Sequence, residues 1–348
     1  MKVGTCIEKR GRITRGSLRV GTYKRNPVKL PVYIAAGRSS GKTIFISGGM
    51  HGDELNGIDL VQQFFHSLDV SKLKGTIVIL PVLNILGYRA ERRNIVGNQD
   101  LNRSFSKGYG SLSNNVANKI FKDVITQCSF GIDCHGSGTE SALFPHTRVH
   151  INKKRICTGG CTVDIGALFG TEVIMEREGK PGMMAIESFK KLNVPILTVE
   201  LGGGLVLFKK FIQVGLMGIN NLLMHHHMTD GKLILPRFQY HVPDVERDAY
   251  IADVEGILKM DKKLGSYVHK GEILGEVHNP LDERTDKIVA KACGIIFSKK
   301  IQAKVEKGER ILSILSIKGC KKHRIIPDQF KVIKNKEGRN VKIRDSLV

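Results

Sequence analysis

The chain has 348 residues, 41% hydrophobic and 25% charged, a balance that fits a water-soluble globular protein and excludes a low-complexity or fibrous one. No apolar run approaches the roughly 20 residues that span a bilayer, and the N-terminus MKVGTCIEKRGRITRG has no apolar segment of a secretory signal. The net charge of +22 is concentrated at the ends: residues 1–30 hold nine Lys/Arg against one Glu, and residues 321–348 nine against three acids. No aromatic RNA-binding signature or zinc-knuckle spacing accompanies them, so these ends read as solvated faces rather than a nucleic-acid site.

The length exceeds one comfortable core, so two domains are expected. Residues 17–36 read as an antiparallel strand pair broken by Gly21, Pro27 and Pro31. Thr43–Ser47 reads as a buried strand, Gly57–Phe65 as a helix, and Thr76–Leu80 as a second strand. Asn84–Ser106 is a long, polar, Arg-rich loop, and loops of that length are usually functional or disordered. Ser113–Thr126 is expected to be a helix capped by Ser113. Strands at Phe130–Asp133, Thr171–Met175 and Pro195–Val199 alternate with helices at Ile186–Leu192 and Phe211–Met228. The expected fold class is therefore α/β, a mostly parallel mixed sheet with helices on both faces.

Gly231, Pro236 and Pro243 mark a linker, and a β-domain over 236–320 follows the α/β domain of 1–235, ahead of a basic tail at 321–348. The β-domain carries an internal echo: GILKMDKKLGSYVHKGEILGEV (256–277) matches GIIFSKKIQAKVEKGERILSIL (294–315). Two strand–turn–strand copies resemble the barrel-sandwich hybrid of biotinyl and lipoyl carriers. The intervening PLDERTDKIVAKAC lacks their hairpin lysine, so a structural or substrate-gating role is expected. Seven scattered cysteines, with no C-x-x-C pair, read as free thiols of a reducing cytoplasm.

Ligands in an open parallel sheet bind at the carboxyl ends of the strands. Four features fall there: His51 and Glu54 in HGDE, His135 in DCHGSGT, Glu200 in VELGGG, and the loop RAERRNIVGNQDLNRSF. Gly48, Gly49 and Gly52 permit a sharp turn, placing His51 in it and Glu54 in the first helical turn. His135, from a neighbouring strand end, completes a two-histidine, one-carboxylate set that suits a single catalytic zinc with a position left for water. Asp133 is a candidate to orient a ligand histidine. Glu200 is placed to move the proton between water and a leaving amine, and an arginine of the loop to stabilise an oxyanion or hold a carboxylate. Each feature alone has a plain structural explanation, such as a turn histidine, a capping carboxylate or an Asx-turn. Their shared placement favours chemistry.

HGDE, DLNRSF, DCHGSGT and VPILTVELGGG, in this order, resemble the succinylglutamate desuccinylase/aspartoacylase family over roughly residues 30–320. The resemblance implies a zinc-carboxypeptidase-like fold and hydrolysis of the amide of a small N-acyl amino acid or amine. It also implies zinc on His51, Glu54 and His135, with Glu200 as general base and then acid. Asn102 and Arg103 would bind a substrate carboxylate. An arginine upstream of DLNR would polarise the carbonyl; Arg93 matches best, with Arg92 as its competitor. Two departures stand out: FSK replaces the family's FPG after DLNR, and Met183, Met184 and Ala185 follow Pro181–Gly182 where a Leu-Arg pair is common. The second leaves no arginine there for a further acid group. A zinc carboxypeptidase of short peptides is the alternative. The expected partner is a small N-acylated substrate, with no membrane, and the sequence leaves a homo-oligomer open.

Overall fold

The structure, a computed structural model, describes residues 1–95, 97–154, 156–242, 248–316 and 341–344. Two short strands, β1 (Lys2–Val3) and β2 (Cys6–Ile7), pair antiparallel at the N-terminus. The expected hairpin follows as β3 (Arg12–Tyr23) and β4 (Asn26–Ala36). Lys24 and Arg25 turn it with φ of 48° and 65°, the left-handed backbone that a two-residue hairpin of matching twist requires.

The α/β unit continues through β5 (Ser39–Gly48), α1 (Leu55–Ser67), β6 (Lys74–Leu80), α2 (Ile85–Arg89), α3 (Leu112–Asp123), β7 (Phe130–Ser137) and β8 (Ser141–Ile151). Then come α4 (Val163–Phe169), β9 (Val173–Glu178), α5 (Met184–Leu192), β10 (Ile196–Gly203), α6 (Lys209–His225), β11 (Leu233–Pro236) and β12 (Tyr240–Val242). The sheet runs β12-β9-β8-β10-β7-β5-β6-β4-β3. Its centre, β10-β7-β5-β6, is parallel, as is β8-β9-β12; β8 meets β10 antiparallel, and β6-β4-β3 is antiparallel. The alternating side chains of β5 show why helices cover both faces. Ile44 and Ile46 enter one core with residues of α1, α4 and α6, and Phe45 enters the other with residues of α3 and α5. No helix among the described residues is long and apolar enough to cross a membrane.

Several local expectations change. β8 adds a strand to the expected set; Pro145 sits inside it, a residue that argues against a central strand from sequence alone. Asn84–Ser106 is not one loop: it contains α2 and a 3₁₀ turn at Leu101–Arg103. The cap of α3 is Ser111, whose hydroxyl accepts from the Asn114 N–H at 3.3 Å, while Ser113 is buried in the helix. β12 pairs with β9, so a boundary at 235/236 would cut through the α/β sheet.

The C-terminal unit consists of β13 (Asp248–Ile251), β14 (Gly256–Met260), β15 (Tyr267–Val268), β16 (Ile273–His278), β17 (Thr285–Val289), β18 (Gly294–Lys300), β19 (Lys304–Val305) and β20 (Arg310–Ser316). The two sequence copies exchange strands. β14 of the first pairs with β19 of the second, and β18 of the second with β15 of the first. The flanking strands follow the same rule, with β13 on β20 and β17 on β16. Matched turns are tied alike: Lys262 pairs with Glu272, and Lys300 with Glu309. Through β18, which pairs with residues 141–143 of β8, this unit joins the large sheet. β21 (Val341–Arg344) runs parallel to β11; the rest of the expected basic tail lies outside the described residues.

Candidate active site

β5 ends at Gly48, and Gly49 adopts φ +60°, a left-handed turn natural to glycine. The turn carries His51, and Glu54 stands immediately before the first residue of α1. A Cβ on Gly57 would drive into the carbonyl of Cys134, so glycine there lets α1 sit directly on β7. That contact brings Glu54 to His135. His135 is not beyond its strand, as expected, but within β7, and Glu200 lies within β10 directly opposite it in the parallel register.

Glu54 bridges both imidazoles. Its Oε1 lies 2.7 Å from His51 Nδ1 and its Oε2 2.8 Å from His135 Nδ1, with the Gly136 N–H donating to Oε2 at 3.2 Å. The opposite ring nitrogens are also taken. His51 Nε2 lies 3.2 Å from Asp100 Oδ1 and His135 Nε2 2.8 Å from Asp133 Oδ2, while Ser47 Oγ fixes Asp133 Oδ1 at 2.8 Å. One donor atom from each of His51, Glu54 and His135 falls within 4.8 Å of the others, and all three residues are buried.

The electrostatics follow from this chain of acids and imidazoles. Burial opposes charge on both histidines, yet Glu54 and Asp100 around His51, and Asp133 and Glu54 around His135, raise both imidazole pKa values. Burial likewise resists ionisation of Glu54, but the two histidines hold its carboxyl well below the usual range. Asp100 is also held low, as His51, Arg93 and Arg103 outweigh its burial. Three carboxylates around two imidazoles demand positive charge. The donors are nitrogen and oxygen atoms, and each histidine is oriented by a second carboxylate, an arrangement typical of metal-binding histidines. The donor set therefore fits a divalent metal such as zinc.

The Arg-rich segment folds back onto this centre. The Arg93 carbonyl accepts from the Gly52 N–H at 3.3 Å and from Asn84 Nδ2 at 3.0 Å. The Arg93 guanidinium then donates to Glu54 Oε1 at 3.3 Å and Asp100 Oδ2 at 3.4 Å. Arg92 lines a neighbouring cavity instead. Asn102 Oδ1 accepts from the Met184 N–H at 2.9 Å, and Arg103 Nη1 donates to the Asn102 carbonyl at 2.6 Å. Glu200 is buried and ion-paired to Arg148 Nη1 at 2.8 Å. Its burial raises the carboxyl pKa, and Arg148 and His135 only partly oppose that rise.

These residues share one cavity of about 270 Å³, lined by His51, Glu54, Arg93, Asn102, Arg103, His135, Arg148 and Glu200 with Leu143 and Met183 as apolar wall. The lining comes from the α/β unit, not from the C-terminal one. The structure thus brings together the seven expected metal, catalytic and substrate residues, sets Asp133 behind His135, leaves Arg92 outside the cavity, and adds two. Asp100 is the first residue of DLNR, but nothing in the local sequence ties it to His51. Arg148 carried only the faint signal of a lone cation in the apolar run ALFPHTRVHI.

Comparison with known proteins bears on this arrangement. The family model of the succinylglutamate desuccinylase/aspartoacylase catalytic domain matches residues 40–226. An N-alpha-acetyl-L-2,4-diaminobutyric acid deacetylase from Halomonas elongata is 25% identical over 317 residues, covering 83% of this chain and 86% of its own. Among solved structures, a succinylglutamate desuccinylase from Silicibacter shares the fold with a TM-score of 0.74 at 21% identity, over 87% of this chain and 94% of its own. The product-bound ectoine utilization protein EutE from Ruegeria pomeroyi does so with a TM-score of 0.74 at 20% identity, over 91% and 100%. The family match spans more than half of the chain and contains the whole cavity lining: the chain belongs to the succinylglutamate desuccinylase/aspartoacylase family.

Proposed function

We propose that the protein is a zinc-dependent deacylase that hydrolyses the amide bond of a small N-acylated amino acid or amine, on a zinc-carboxypeptidase-like α/β domain followed by a barrel-sandwich-like β-domain. The observation that carries the reading is the convergence of His51, Glu54 and His135 on one point, with Glu200 lining the same cavity. His51 Nδ1, His135 Nδ1 and a Glu54 oxygen would hold the ion. A bound divalent ion supplies Lewis acidity, making water deprotonable near neutral pH and drawing charge from the scissile carbonyl.

The remaining work falls to the chain's own groups. Glu200 accepts the proton of the attacking water and delivers it to the leaving amine nitrogen; the burial that raises its pKa suits it to both roles. Arg148 holds Glu200 Oε1, which leaves Oε2 for the proton. Arg93 stabilises the negative charge developing on the carbonyl oxygen. Asn102 Oδ1 is engaged by the Met184 N–H, so its amide N–H groups, with the Arg103 guanidinium nitrogens not donating to the Asn102 backbone carbonyl, are available to a substrate carboxylate. Leu143 and Met183 are apolar, and with Arg93 assigned to the carbonyl, Arg103 to the substrate carboxylate and Arg148 paired to Glu200, no cation of the lining is left for a second acid group, which favours a small uncharged acyl chain over a succinyl one. The relative from Halomonas elongata, named for an N-acetyl substrate, points the same way. The small cavity also favours this reading over a peptidase.

A screen of N-acetyl, N-succinyl and longer N-acyl amino acids for amine release, with and without chelator, tests it. Metal-dependent release from N-acetyl compounds is expected. Turnover that survives chelation, or release from peptides alone, would overturn it.

A further inference from the structure

A cavity of about 730 Å³ opens between the start of α6 and the C-terminal unit, and it shares no lining residue with the candidate active site. Part of its wall is apolar: Phe208 and Phe211, whose rings stack at 5.1 Å, with Leu264 and Ile301. Five lysines stand around these side chains: Lys209 and Lys210 from α6, Lys263 from the turn after β14, and Lys299 and Lys300 from β18. No acid is among the described lining residues. The wall is held in place from behind. Asn56, fully buried, accepts from the Phe208 N–H at 2.8 Å and donates to the Val206 carbonyl at 2.9 Å.

The charges of this cavity are left uncompensated. Of the five lysines only Lys300 is neutralised, by Glu309 at 2.9 Å. Lys209, Lys210 and Lys263 are exposed and have no acidic partner among the described residues. Lys299 is half-buried; its Nζ reaches only the Lys262 carbonyl, at 3.5 Å, and burial pulls its pKa down with no carboxylate to oppose the shift. A half-buried ammonium without a counter-charge is costly, and like charges around one concavity concentrate ions of the opposite sign. α6 begins here with no side chain capping it, and its partial positive charge adds to theirs. We infer that this cavity is a binding site for a free organic anion with an apolar body, the anionic head among Lys209, Lys210, Lys263 and Lys299 and the body on Phe208, Phe211 and Leu264. Its volume is that of a small-molecule site. Leu205, Val206 and Leu207 are exposed beside it, a feature that a membrane surface could also use. The rings and lysines line a concavity, however, which suits one enclosed molecule better than a flat lipid face.

Calorimetry on the full chain tests it with three probes. Decanoate carries both head and tail, decyltrimethylammonium the same tail with the opposite charge, and acetate the head alone. Decanoate is expected to bind more tightly than either of the others. Lys299→Gln is expected to weaken decanoate by about 10-fold, the scale of one hydrogen bond to a charged group. Lys263→Gln, at an exposed position that folding tolerates, should weaken it too, and Arg103→Ala, in the other cavity, should leave it unchanged. Decyltrimethylammonium or acetate binding as tightly as decanoate overturns the proposal, because then either the charge or the apolar body plays no part. Decanoate binding that is lost in Arg103→Ala and kept in both lysine variants places the anion in the active-site cavity and also overturns it. So does retention on phosphatidylserine vesicles without decanoate binding, which would assign the lysines to a membrane surface. The readout is binding, not turnover, so the outcome stands apart from the deacylase reading.

Discussion

The α/β unit and the repeated C-terminal unit bury their side chains by opposite rules. In the repeat the interior is mainly apolar, with Val268, Leu274, Val305 and Ile311 all 2% exposed or less, and Lys300 is its one buried charged side chain among the described residues. Two of its ion pairs, Lys262–Glu272 and Lys300–Glu309, recur at matched turns of the two copies, as structural ties would. At the strand ends of the α/β unit the buried groups are instead His51, Glu54, Asp133, His135 and Glu200. Replacing such a cluster with apolar side chains is often neutral or stabilising, so folding alone does not call for it. The contrast teaches where to look: symmetry marks what the fold needs, and unsymmetrical buried charge marks what the chemistry needs.

The contrast can be broken most sharply at the metal. His51→Ala and His135→Ala are each expected to lose the roughly one zinc per chain that a single-site hydrolase holds. Zinc content equal to wild type in both would remove them as ligands. Glu200→Gln should keep its metal and lose about 10²–10⁴ in kcat, the usual share of a general base. Unchanged turnover would take Glu200 out of the reaction.

On the other side of the comparison, Leu274→Ala and Ile311→Ala remove matched core side chains. Each is expected to cost about 2–5 kcal/mol in urea unfolding with zinc content unchanged. A loss of metal in either would show that the two units are not separable in this way. The smallest effect is read against pH. Burial, helped by Arg148, holds the His150 imidazole down to a pKa of about 3, against an ordinary 6.5. The native state stays neutral there while the unfolded chain takes up a proton below pH 6.5. Stability therefore falls as pH drops from 6.5 towards 3, by about 1.4 kcal/mol per pH unit for one proton. His150→Gln should flatten that slope in denaturation measured between pH 4 and 7; an unaltered slope would assign it to other groups.

Much of this was legible locally. Glycines followed by a helical apolar period exposed the turn that bears His51 and Glu54, and the repeat announced itself by its V-x-K-G-E echo. Other parts depend on contacts remote in sequence. Pro145 hid the central strand β8, and with it Arg148, whose position beside Glu200 follows only from the antiparallel register of β8 on β10. Asp100 acts on His51 only because the Arg-rich segment folds back through the bonds of Asn84 and Gly52 to the Arg93 carbonyl. No spacing rule predicts such a return. β7 and β10 run on through His135 and Glu200 to Ser137 and Gly203, where polar residues and glycines in the sequence resemble the start of a loop.

Leu143 is a place where the two units meet. It faces the central cavity, and its backbone lies between Gly202 of β10 and Ser298 of β18. The C-terminal unit therefore acts as a splint for one wall of a cleft it does not itself line. Cutting it away would leave residues 141–143 as a bare strand margin, open to sticking to other chains. A shortened version of this protein would lose the firmness of its pocket before it lost a single reacting group.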